Sequence, residues 1–241
     1  MKKLHKLGFA ILPISLTASF ISAGCNDKSK SDIKLDENTK LFYFDINSNN
    51  KATITAYNRA LFDDSNNIVA QSKTIKIPEK VKYKNVEYVV DSIGSESFME
   101  LANLEEVEFS NEIKFIGDRA FANSSKLKSI KFSESSELEA INISAFANTN
   151  LENVILPKKL SSIASYAFAN IKNDKFSLVL NSQLDNGSKL NISQYAFKDL
   201  KDSFKLEIKN LKIEAVAGAD KLAEFAQFIG LKDNQITFSK K

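Results

Sequence analysis

Few of the side chains that enzymes use for acid–base and nucleophilic chemistry occur in this 241-residue chain. It has one histidine, His5, and one cysteine, Cys25. A Ser–His–Asp triad, a Cys–His pair and the common zinc sites need histidine or several cysteines. The seven glycines form no cluster spaced like a phosphate-binding loop. The residue types therefore predict no cofactor, no metal site and no catalysis that depends on histidine or cysteine.

Carboxylates are the remaining reactive groups, because two of them suffice for glycoside hydrolysis. The densest set is Glu105, Glu106 and Glu108. Alternation along a strand would put Glu106 and Glu108 on a solvated outer face, so a catalytic pair is the less favoured interpretation. The oxygen-rich residues 63–67 lack the acid spacing and closing glutamate of a calcium loop, which favours a solvated loop. We predict that the protein is not an enzyme.

The amino terminus has the features of a secretory signal. Lys2, Lys3 and Lys6 precede an apolar stretch over residues 7–21, and small residues follow just before Cys25. The apolar run of about 15 residues is shorter than the roughly 20 that a membrane-spanning helix needs. Without these three lysines the 33 basic residues fall to 30, equal to the 30 acidic ones, so no excess positive charge remains for nucleic-acid phosphates. We therefore predict export and no nucleic-acid partner.

The segment from Ile21 to Cys25 resembles a bacterial lipobox. The resemblance implies cleavage before Cys25 and attachment of a diacylglyceryl thioether and palmitate there. The two residues before the cysteine match the pattern, whereas Ser22 stands where an aliphatic residue is usual. The alternative is an ordinary signal followed by a free or buried cysteine, although a lone cysteine cannot form an internal disulfide. We expect a signal peptide at 1–24, a flexible tether at 25–40 and a lipid-anchored protein on the extracellular face of the cell membrane.

A fixed spacing between isoleucine and phenylalanine recurs along the chain and indicates a repeat architecture. In each window Ile lies five residues before Phe, and a small residue immediately precedes the Phe. The windows are Ile93–Phe98, Ile116–Phe121, Ile141–Phe146, Ile163–Phe168 and Ile192–Phe197. No coil of this length can bury its own apolar side, so equivalent positions must stack coil on coil. The five phenylalanines are therefore predicted to form one buried column.

A short segment of alternating apolar and polar residues follows each window, with the period of a half-buried strand. These segments are Leu104–Phe109, Leu127–Phe132 and Leu151–Leu156, then the weaker Phe176–Leu180 and Phe204–Ile208. Each coil is thus predicted to contribute one strand, a turn and a tight segment that brings Ile and Phe inward. The strands of successive coils are predicted to join in a single sheet.

The pattern Ile-Gly-x-x-Ala-Phe followed by Leu-x-x-Ile-x-Phe resembles the BspA-type leucine-rich repeat of bacterial surface proteins. Leu41–Ile46 and Ala52–Tyr57 are similar to the opening hairpin of that family, and the resemblance covers roughly residues 41–210. It departs from the pattern after Phe168, where residues 173–174 and 182–188 enlarge two coils. It implies an α/β solenoid, a leucine-rich-repeat stack of about five coils, with an N-terminal β-hairpin cap. The resemblance is specific for the fold and weak for the ligand.

The predicted domain organisation follows from these patterns. Residues 41–92 form the N-terminal β cap and entry strands, residues 93–210 the solenoid and residues 211–241 a C-terminal cap that covers the open core. The cap is predicted to contain a helix, because apolar residues recur at helical spacing and Gly230 marks a stop. These apolar residues are Ile213, Val216, Leu222, Ala223, Ala226 and Ile229. An amphipathic helix for a membrane or a partner is the alternative.

The family resemblance implies adhesion to host or matrix macromolecules through the repeat surface. The expected partner is an extracellular or host protein, bound by a monomeric ectodomain whose weak contacts are strengthened by many anchored copies. A structural or nutrient-capture envelope lipoprotein is the alternative, followed by a carboxylate-dependent glycoside hydrolase. The predicted partner-binding residues are the outward strand positions Glu106, Glu108, Ser129, Lys131, Asn153, Ile155, Ser177, Val179, Lys205 and Glu207.

Overall fold

Residues 33–57, 73–181, 183, 190–209 and 222–239 are described by a computed structural model. The predicted signal, Cys25 and the oxygen-rich segment 63–67 lie outside these residues. Most elements are short strands, because each coil holds only a few alternating apolar residues before the chain turns. No helix among the described residues has the length and apolar character needed to cross a membrane.

The strands of the N-terminal part are β1 (Lys34–Leu35), β2 (Phe42–Ile46), β3 (Ala52–Tyr57), β4 (Thr74–Lys76), β5 (Lys80–Tyr83) and β6 (Val86–Ile93). The strands of the repeats are β7 (Glu106–Glu108), β8 (Phe115–Ile116), β9 (Ser129–Lys131), β10 (Ala140–Ile141), β11 (Asn153–Leu156), β12 (Ser162–Ile163), β13 (Ser177–Leu180), β14 (Asn191–Ile192) and β15 (Lys205–Lys209). The C-terminal part contains helix α1 (Leu222–Ile229), a 3₁₀ turn (Asp233–Gln235) and strand β16 (Ile236–Ser239).

Each repeat contributes two strands to two different sides of the solenoid, whereas the sequence predicted one strand and a tight segment. The isoleucine of each window ends a strand in a long sheet ordered β1-β2-β3-β6-β8-β10-β12-β14. The pairs from β3 to β14 are parallel, with Ile116, Ile141, Ile163 and Ile192 in register. Two residues per coil are too few to show the period-2 pattern from which a strand is predicted.

The predicted strands form two ladders on the second side, so the prediction of one continuous sheet is wrong. One ladder is β4-β7-β9 and the other is β11-β13-β15-β16. The break falls between β9 and β11, which belong to successive coils but are not paired. Backbone bonds still cross just before the strands, from the Glu152 N–H to the Lys128 carbonyl at 3.0 Å.

The predicted phenylalanine column is confirmed. Phe98, Phe121, Phe146, Phe168 and Phe197 are fully buried, and the small residue before each one is buried as well. Successive ring centroids are 5.0, 5.3, 5.5 and 5.8 Å apart, with interplanar angles of 3 to 13°. The rings therefore pack face to face at roughly the distance between adjacent strands, and each fills the space that its neighbours leave.

The turn around each phenylalanine is built from left-handed residues at two fixed places. The residue two before Phe has a positive φ in all five windows, and so does the residue two after it. At the later place the chain uses Asn123, Asn148 and Asn170, a residue type that tolerates this conformation. The Asn148 side-chain amide donates to the Asn123 side-chain oxygen at 2.7 Å, which ties one coil to the next.

This turn also makes a third backbone ladder between coils. The Phe121 N–H donates to the Ala145 carbonyl at 2.8 Å, and the Phe146 N–H donates to the Ala167 carbonyl at 2.8 Å. Gly117 shows how closely the first coils approach, because a Cβ there would lie 2.7 Å from the carbonyl carbon of Gly94. The buried turn is therefore held at a fixed spacing, and the exposed side chains on it are held with it.

The N-terminal hairpin is confirmed, but the cap begins earlier than predicted. Strands β2 and β3 pair antiparallel, and β1 pairs with β2 although residues 34–40 were assigned to the tether. Asp36 is fully buried and explains this extension. Its carboxylate accepts hydrogen bonds from the Thr39 hydroxyl at 2.6 Å and the Lys82 N–H at 2.8 Å. A single short polar stretch thus joins the start of the domain to β5.

The C-terminal helix is confirmed, and the segment after it extends the solenoid. Phe225, Ala226 and Ile229 of α1 are buried, and β16 pairs parallel with β15 in the same ladder. Gln235 is buried, and its side-chain amide donates to the Lys201 carbonyl at 3.0 Å. The cap is therefore an atypical last coil. The predicted apolar positions Ile213 and Val216 lie outside the described residues.

Candidate functional site

The ten predicted binding positions all face outward on the second side of the solenoid, as predicted. Each is at least partly exposed, whereas the residues that alternate with them are buried. Glu106, Glu108, Ser129 and Lys131 lie on the ladder β4-β7-β9, and the other six positions lie on β11, β13 and β15. The interruption between β9 and β11 divides this strand face into two parts with different chemistry. Its role in binding stays a prediction.

The part formed by β4, β7 and β9 pairs its own charges. Lys131 Nζ lies 2.6 Å from the Glu106 carboxylate, and Lys76 Nζ lies 2.9 Å from that of Glu108. Glu105 contacts Lys73 at 2.9 Å. The hydrogen bonds from these lysines hold the pKa values of Glu105 and Glu108 below the ordinary range. A general acid needs a raised pKa instead, so the geometry does not favour the hydrolase alternative.

The part formed by β11, β13 and β15 is mostly neutral. Ile155 is 68 % exposed, and Val179 lies beside it in register on β13. The Ser177 hydroxyl donates to the Asn153 side-chain oxygen at 2.7 Å. At the far end, the Ser239 hydroxyl donates to Glu207 at 2.6 Å. This part therefore offers an isolated apolar contact within polar surroundings.

A second exposed surface lies on the turns that contain the phenylalanines. None of the predicted binding residues belongs to it. The residue two before each phenylalanine is Glu96, Arg119, Ser144, Tyr166 and Tyr195 in successive windows. Tyr166 is 37 % exposed, and its ring centroid is 5.8 Å from that of Tyr195. The left-handed backbone there turns these side chains outward, away from the buried phenylalanines. Two consecutive tyrosines at one repeat position were the signal that could have identified this surface.

A lysine lies beside this pair at a place where the three preceding coils have alanine. The residue after Phe is alanine in the second, third and fourth windows but Lys198 in the fifth. Its Nζ lies 5.2 Å from the ring centroid of Tyr195 and 5.9 Å from that of Tyr166. These are cation–π distances, so the lysine fixes both rings and adds a positive charge beside them.

The last coil extends the surface with a third aromatic ring. The Tyr195 N–H donates to the Phe228 carbonyl at 2.9 Å, which places the backbone of Phe228 in α1 beside that of Tyr195. Phe228 is 46 % exposed on the outer face of the helix. We name Tyr166, Tyr195, Lys198 and Phe228 the aromatic row. It spans three successive coils at the end of the solenoid opposite the N-terminal cap.

The described residues contain no cluster of three or more His, Cys, Asp or Glu side chains that could hold a metal ion. A shallow cavity of about 260 Å³ lies between loops and is lined by Glu134, Glu137, Lys158 and Lys159, among others. Lys159 pairs with Glu137 at 2.6 Å across it. Among the described residues, the aromatic row and the strand face are two surfaces with a chemistry suited to recognition.

Residues 38–175 and 91–217 match the model of the BspA type leucine rich repeat region in six copies. The two matches together span most of the chain. The chain belongs to the BspA-type leucine-rich-repeat family. Membership in this family of bacterial surface proteins indicates a binding role, and proteins with such repeats are typically binding proteins.

Two solved structures are similar to this BspA-type chain. A leucine-rich repeat protein from Bacteroides capillosus is 30% identical, with 53% of this chain and 86% of that chain covered and a TM-score of 0.44. A leucine-rich repeat protein from T. pallidum is 16% identical, with 86% and 100% covered and a TM-score of 0.43. No curated protein sequence matches the chain. The assignment rests on the family match and on the repeat geometry.

Proposed function

We propose that this protein is a lipid-anchored bacterial surface protein that binds an extracellular host or matrix protein and so serves adhesion. The observation that carries the proposal is the aromatic row, a set of partly exposed rings and a lysine on a BspA-type solenoid. The fold does not require aromatic residues at the two tyrosine positions of the row. Neither tyrosine is needed for the column, since the same position holds Ser144 in another coil.

The chemistry of the row favours a protein partner. Tyrosine combines a large apolar ring with a hydroxyl and is enriched among residues that dominate binding energy. The contact between the two rings and their cation–π contacts with Lys198 restrict both side chains, so less side-chain entropy is lost on binding. Lys198 adds an electrostatic preference for acidic side chains on the partner. The neutral part of the strand face, around Ile155, is a second proposed contact area.

The row is small, so we propose weak binding by each molecule. Three rings and one lysine cover less surface than a stable one-to-one complex usually buries. Affinity in the micromolar range, about −8 kcal/mol, would then be strengthened when many anchored copies engage one repetitive partner. A soluble form compared with the same protein at high density on beads tests this. Nanomolar binding by the soluble form, unchanged on beads, contradicts the proposal.

A binding screen against extracellular-matrix proteins tests the proposed function. The double variant Tyr166→Asn/Tyr195→Asn removes both rings but keeps a residue type that tolerates the left-handed backbone. Ser144→Asn is the matched control, because it changes the same repeat position in a coil without a ring. We expect at least tenfold weaker binding for the double variant, about 1.4 kcal/mol or more, and no change for the control. Binding that is equal in both variants contradicts a role for the row.

The membrane anchor is tested by Cys25→Ser. Loss of the chain's only cysteine removes the proposed acylation site. We expect the variant either to leave the membrane fraction or to keep its signal peptide, which mass spectrometry of the purified protein distinguishes. A variant that stays membrane-bound and has the wild-type mature mass contradicts lipidation at Cys25.

A structural or nutrient-capture role within the bacterial envelope is the second candidate. It shares the anchor and the solenoid but not the partner. Capture experiments with the bacterium's own membrane proteins in parallel with the matrix proteins separate the two. Retention of an envelope protein through the aromatic row, with no matrix protein bound, favours the envelope role.

A further inference from the structure

The aromatic row carries hydrogen-bond donors that the fold leaves unused. Tyr166 and Tyr195 contact each other through their rings, yet neither hydroxyl has a hydrogen-bond partner among the described residues. Lys198 Nζ lies over both rings and forms no ion pair within the described part of the chain. Two phenolic O–H groups and one ammonium therefore lie beside partly exposed rings, and the ammonium can only donate.

Two acidic residues adjoin the row without engaging its lysine. Asp199 follows Lys198 directly and is exposed, but its carboxylate forms no ion pair with Lys198. Glu224 lies one helical turn before Phe228 in α1 and has an interaction of its own, which does not involve Lys198. The Lys198 ammonium therefore stays available to an acceptor on the partner.

The last two coils fix the backbone that carries this lysine. The Lys198 N–H donates to the Tyr195 carbonyl at 3.1 Å, and the Asn170 N–H donates to the Lys198 carbonyl at 2.9 Å. Gly230 approaches so closely that a Cβ there would lie 2.9 Å from Lys198 Cα. The cation–π contacts restrict the side chain as well. The donors are thus held in place before a partner binds, which lowers the entropy cost of binding.

A ligand that matches these donors presents free carbonyl groups beside compact apolar groups. Helices and sheets already pair most of their backbone carbonyls, whereas a polyproline II helix has no internal hydrogen bonds. Proline also lacks an N–H, so a proline-rich segment has few donors that the row would have to satisfy. Its carbonyl dipoles complement the phenolic hydrogens and the ammonium. Surfaces lined by aromatic side chains are a recurring mode of recognition for such segments.

The spacing of the two rings agrees with this geometry. The ring centroids of Tyr166 and Tyr195 are 5.8 Å apart, and a polyproline II helix advances about 6.2 Å over two residues. With roughly three residues per turn, residues i and i+2 lie on adjacent edges of this helix and can rest together on one surface. A segment that runs along the solenoid axis thus brings one proline to each tyrosine ring.

We propose that the aromatic row binds an extended, proline-rich segment of its partner in the polyproline II conformation. Prolines pack on Tyr166 and Tyr195, and both hydroxyls and the Lys198 ammonium donate to backbone carbonyls of the segment. The proposal rests on the binding function proposed for the row and specifies the chemistry of the partner. A preformed segment loses little entropy on binding, which suits a small surface.

An oligoproline peptide is the probe for this contact. A Gly-Ser peptide of equal length is the control, because it has the same backbone carbonyls but neither proline rings nor a preformed helix. Both peptides carry a fluorescent label and are titrated with the soluble protein, and anisotropy reports binding. We expect the oligoproline to bind at least about tenfold more tightly than the Gly-Ser peptide. Equal affinity for the two peptides, or no binding of either, overturns the proposal.

Substitutions locate the contact on the row. Tyr166→Asn/Tyr195→Asn is expected to bind oligoproline no better than the Gly-Ser peptide, whereas Ser144→Asn binds it like wild type. Tyr166→Phe/Tyr195→Phe keeps both rings without the hydroxyls and is expected to bind about fivefold more weakly. Lys198→Ala introduces the residue of the three preceding coils and is expected to bind about threefold more weakly.

Circular dichroism establishes which variants are folded. Wild-type affinity for oligoproline in the folded asparagine variant overturns the proposal. Should that variant not fold, wild-type affinity in both the phenylalanine variant and Lys198→Ala overturns it instead.

The peptide experiment and the matrix screen can fail independently. A matrix protein that binds through the tyrosines and is not displaced by excess oligoproline supports the proposed function and overturns the partner chemistry. Oligoproline binding without any matrix ligand supports the partner chemistry and contradicts the adhesion role. Binding of a glucose oligosaccharide in place of oligoproline, tested in parallel, makes the row a carbohydrate site and overturns the proposal.

Discussion

Two positions of the repeat, only two residues apart, behave in opposite ways. The phenylalanine position holds the same residue in five coils and is fully buried in all of them. The position two residues earlier holds Glu96, Arg119, Ser144, Tyr166 and Tyr195, all with positive φ. At each of the two positions the backbone conformation repeats from coil to coil. The fold therefore dictates the first side chain and only the backbone conformation at the second, which leaves the second available for recognition.

The chemistry of the variable position differs between the two ends of the solenoid. Near the N-terminal cap the variable position holds Glu96 and Arg119, which form an ion pair with each other. Toward the last coil it holds the two tyrosines, next to Lys198. Exposed ion pairs contribute little to binding or stability, whereas exposed rings retain apolar surface that a partner can bury. The side chains at this position thus pair with each other near the N-terminal cap, whereas near the last coil they keep apolar surface that a partner can contact.

The largest expected effect follows from breaking the column. Phe121→Ala and Phe146→Ala each leave a cavity between two stacked rings and should lower the free energy of unfolding by about 3–5 kcal/mol. Chemical denaturation monitored by circular dichroism measures this loss. Wild-type stability in either variant would show that the column does not hold the coils together.

A smaller loss is expected at the cap that covers the column, where Phe42 and Tyr57 pack on Phe98. Burial alone would raise the pKa of Asp36, but hydrogen bonds from Thr39, Lys82 and Asn38 outweigh it and hold the pKa below 3.8. Asp36→Asn should cost about 1.5–3 kcal/mol at neutral pH, as for hydrogen bonds to charged groups.

The pH dependence of that loss has a definite sign. Because the folded-state pKa is lowered, the stabilisation by Asp36 is complete above the ordinary aspartate value of 3.8 and is lost as the pH falls through the folded-state pKa. Wild type and Asp36→Asn should therefore converge in stability under acid conditions. A difference that is constant down to the lowest pH at which the protein folds would contradict the role of the carboxylate.

Substitution of the tyrosines should affect stability much less than substitution of the phenylalanines. Tyr166→Asn and Tyr195→Asn keep a side chain suited to positive φ, so each should shift the free energy of unfolding by no more than about 1 kcal/mol. Thermal melts of the two variants beside Phe121→Ala provide the measurement. Losses as large as that of the phenylalanine variant would mean that the rings support the fold and are not free for a partner.

Lys131→Ala on the strand face should have the smallest effect. The lysine is half exposed and pairs with Glu106 at the surface, so its removal should change stability by no more than about 0.5 kcal/mol. Denaturant midpoints compared with wild type measure the change. A melting temperature as low as that of Phe146→Ala would show that the assigned strand register is wrong.

The repeat, the column and the outward strand positions could be predicted because they follow from local spacing and the need to bury apolar side chains. The break between β9 and β11 could not, since the apolar spacing of Leu151–Leu156 is the same as that of Leu127–Phe132 and gives no sign of it. The two tyrosines occur at the same place in successive windows of the sequence. Their exposure depends on a left-handed backbone, which a tyrosine at that place does not predict. Phe228 comes from a helix without repeat similarity, so only the structure places it beside Tyr195.

The most direct test of the account is the affinity of the soluble protein for the partner recovered from the matrix screen, measured with three variants side by side. Tyr166→Asn/Tyr195→Asn should weaken binding at least tenfold, or about 1.4 kcal/mol, while its melting temperature stays well above that of Phe121→Ala. Ser144→Asn and Lys131→Ala should bind like wild type. Wild-type affinity in the tyrosine variant, with a loss in Lys131→Ala, would place recognition on the strand face and contradict the account.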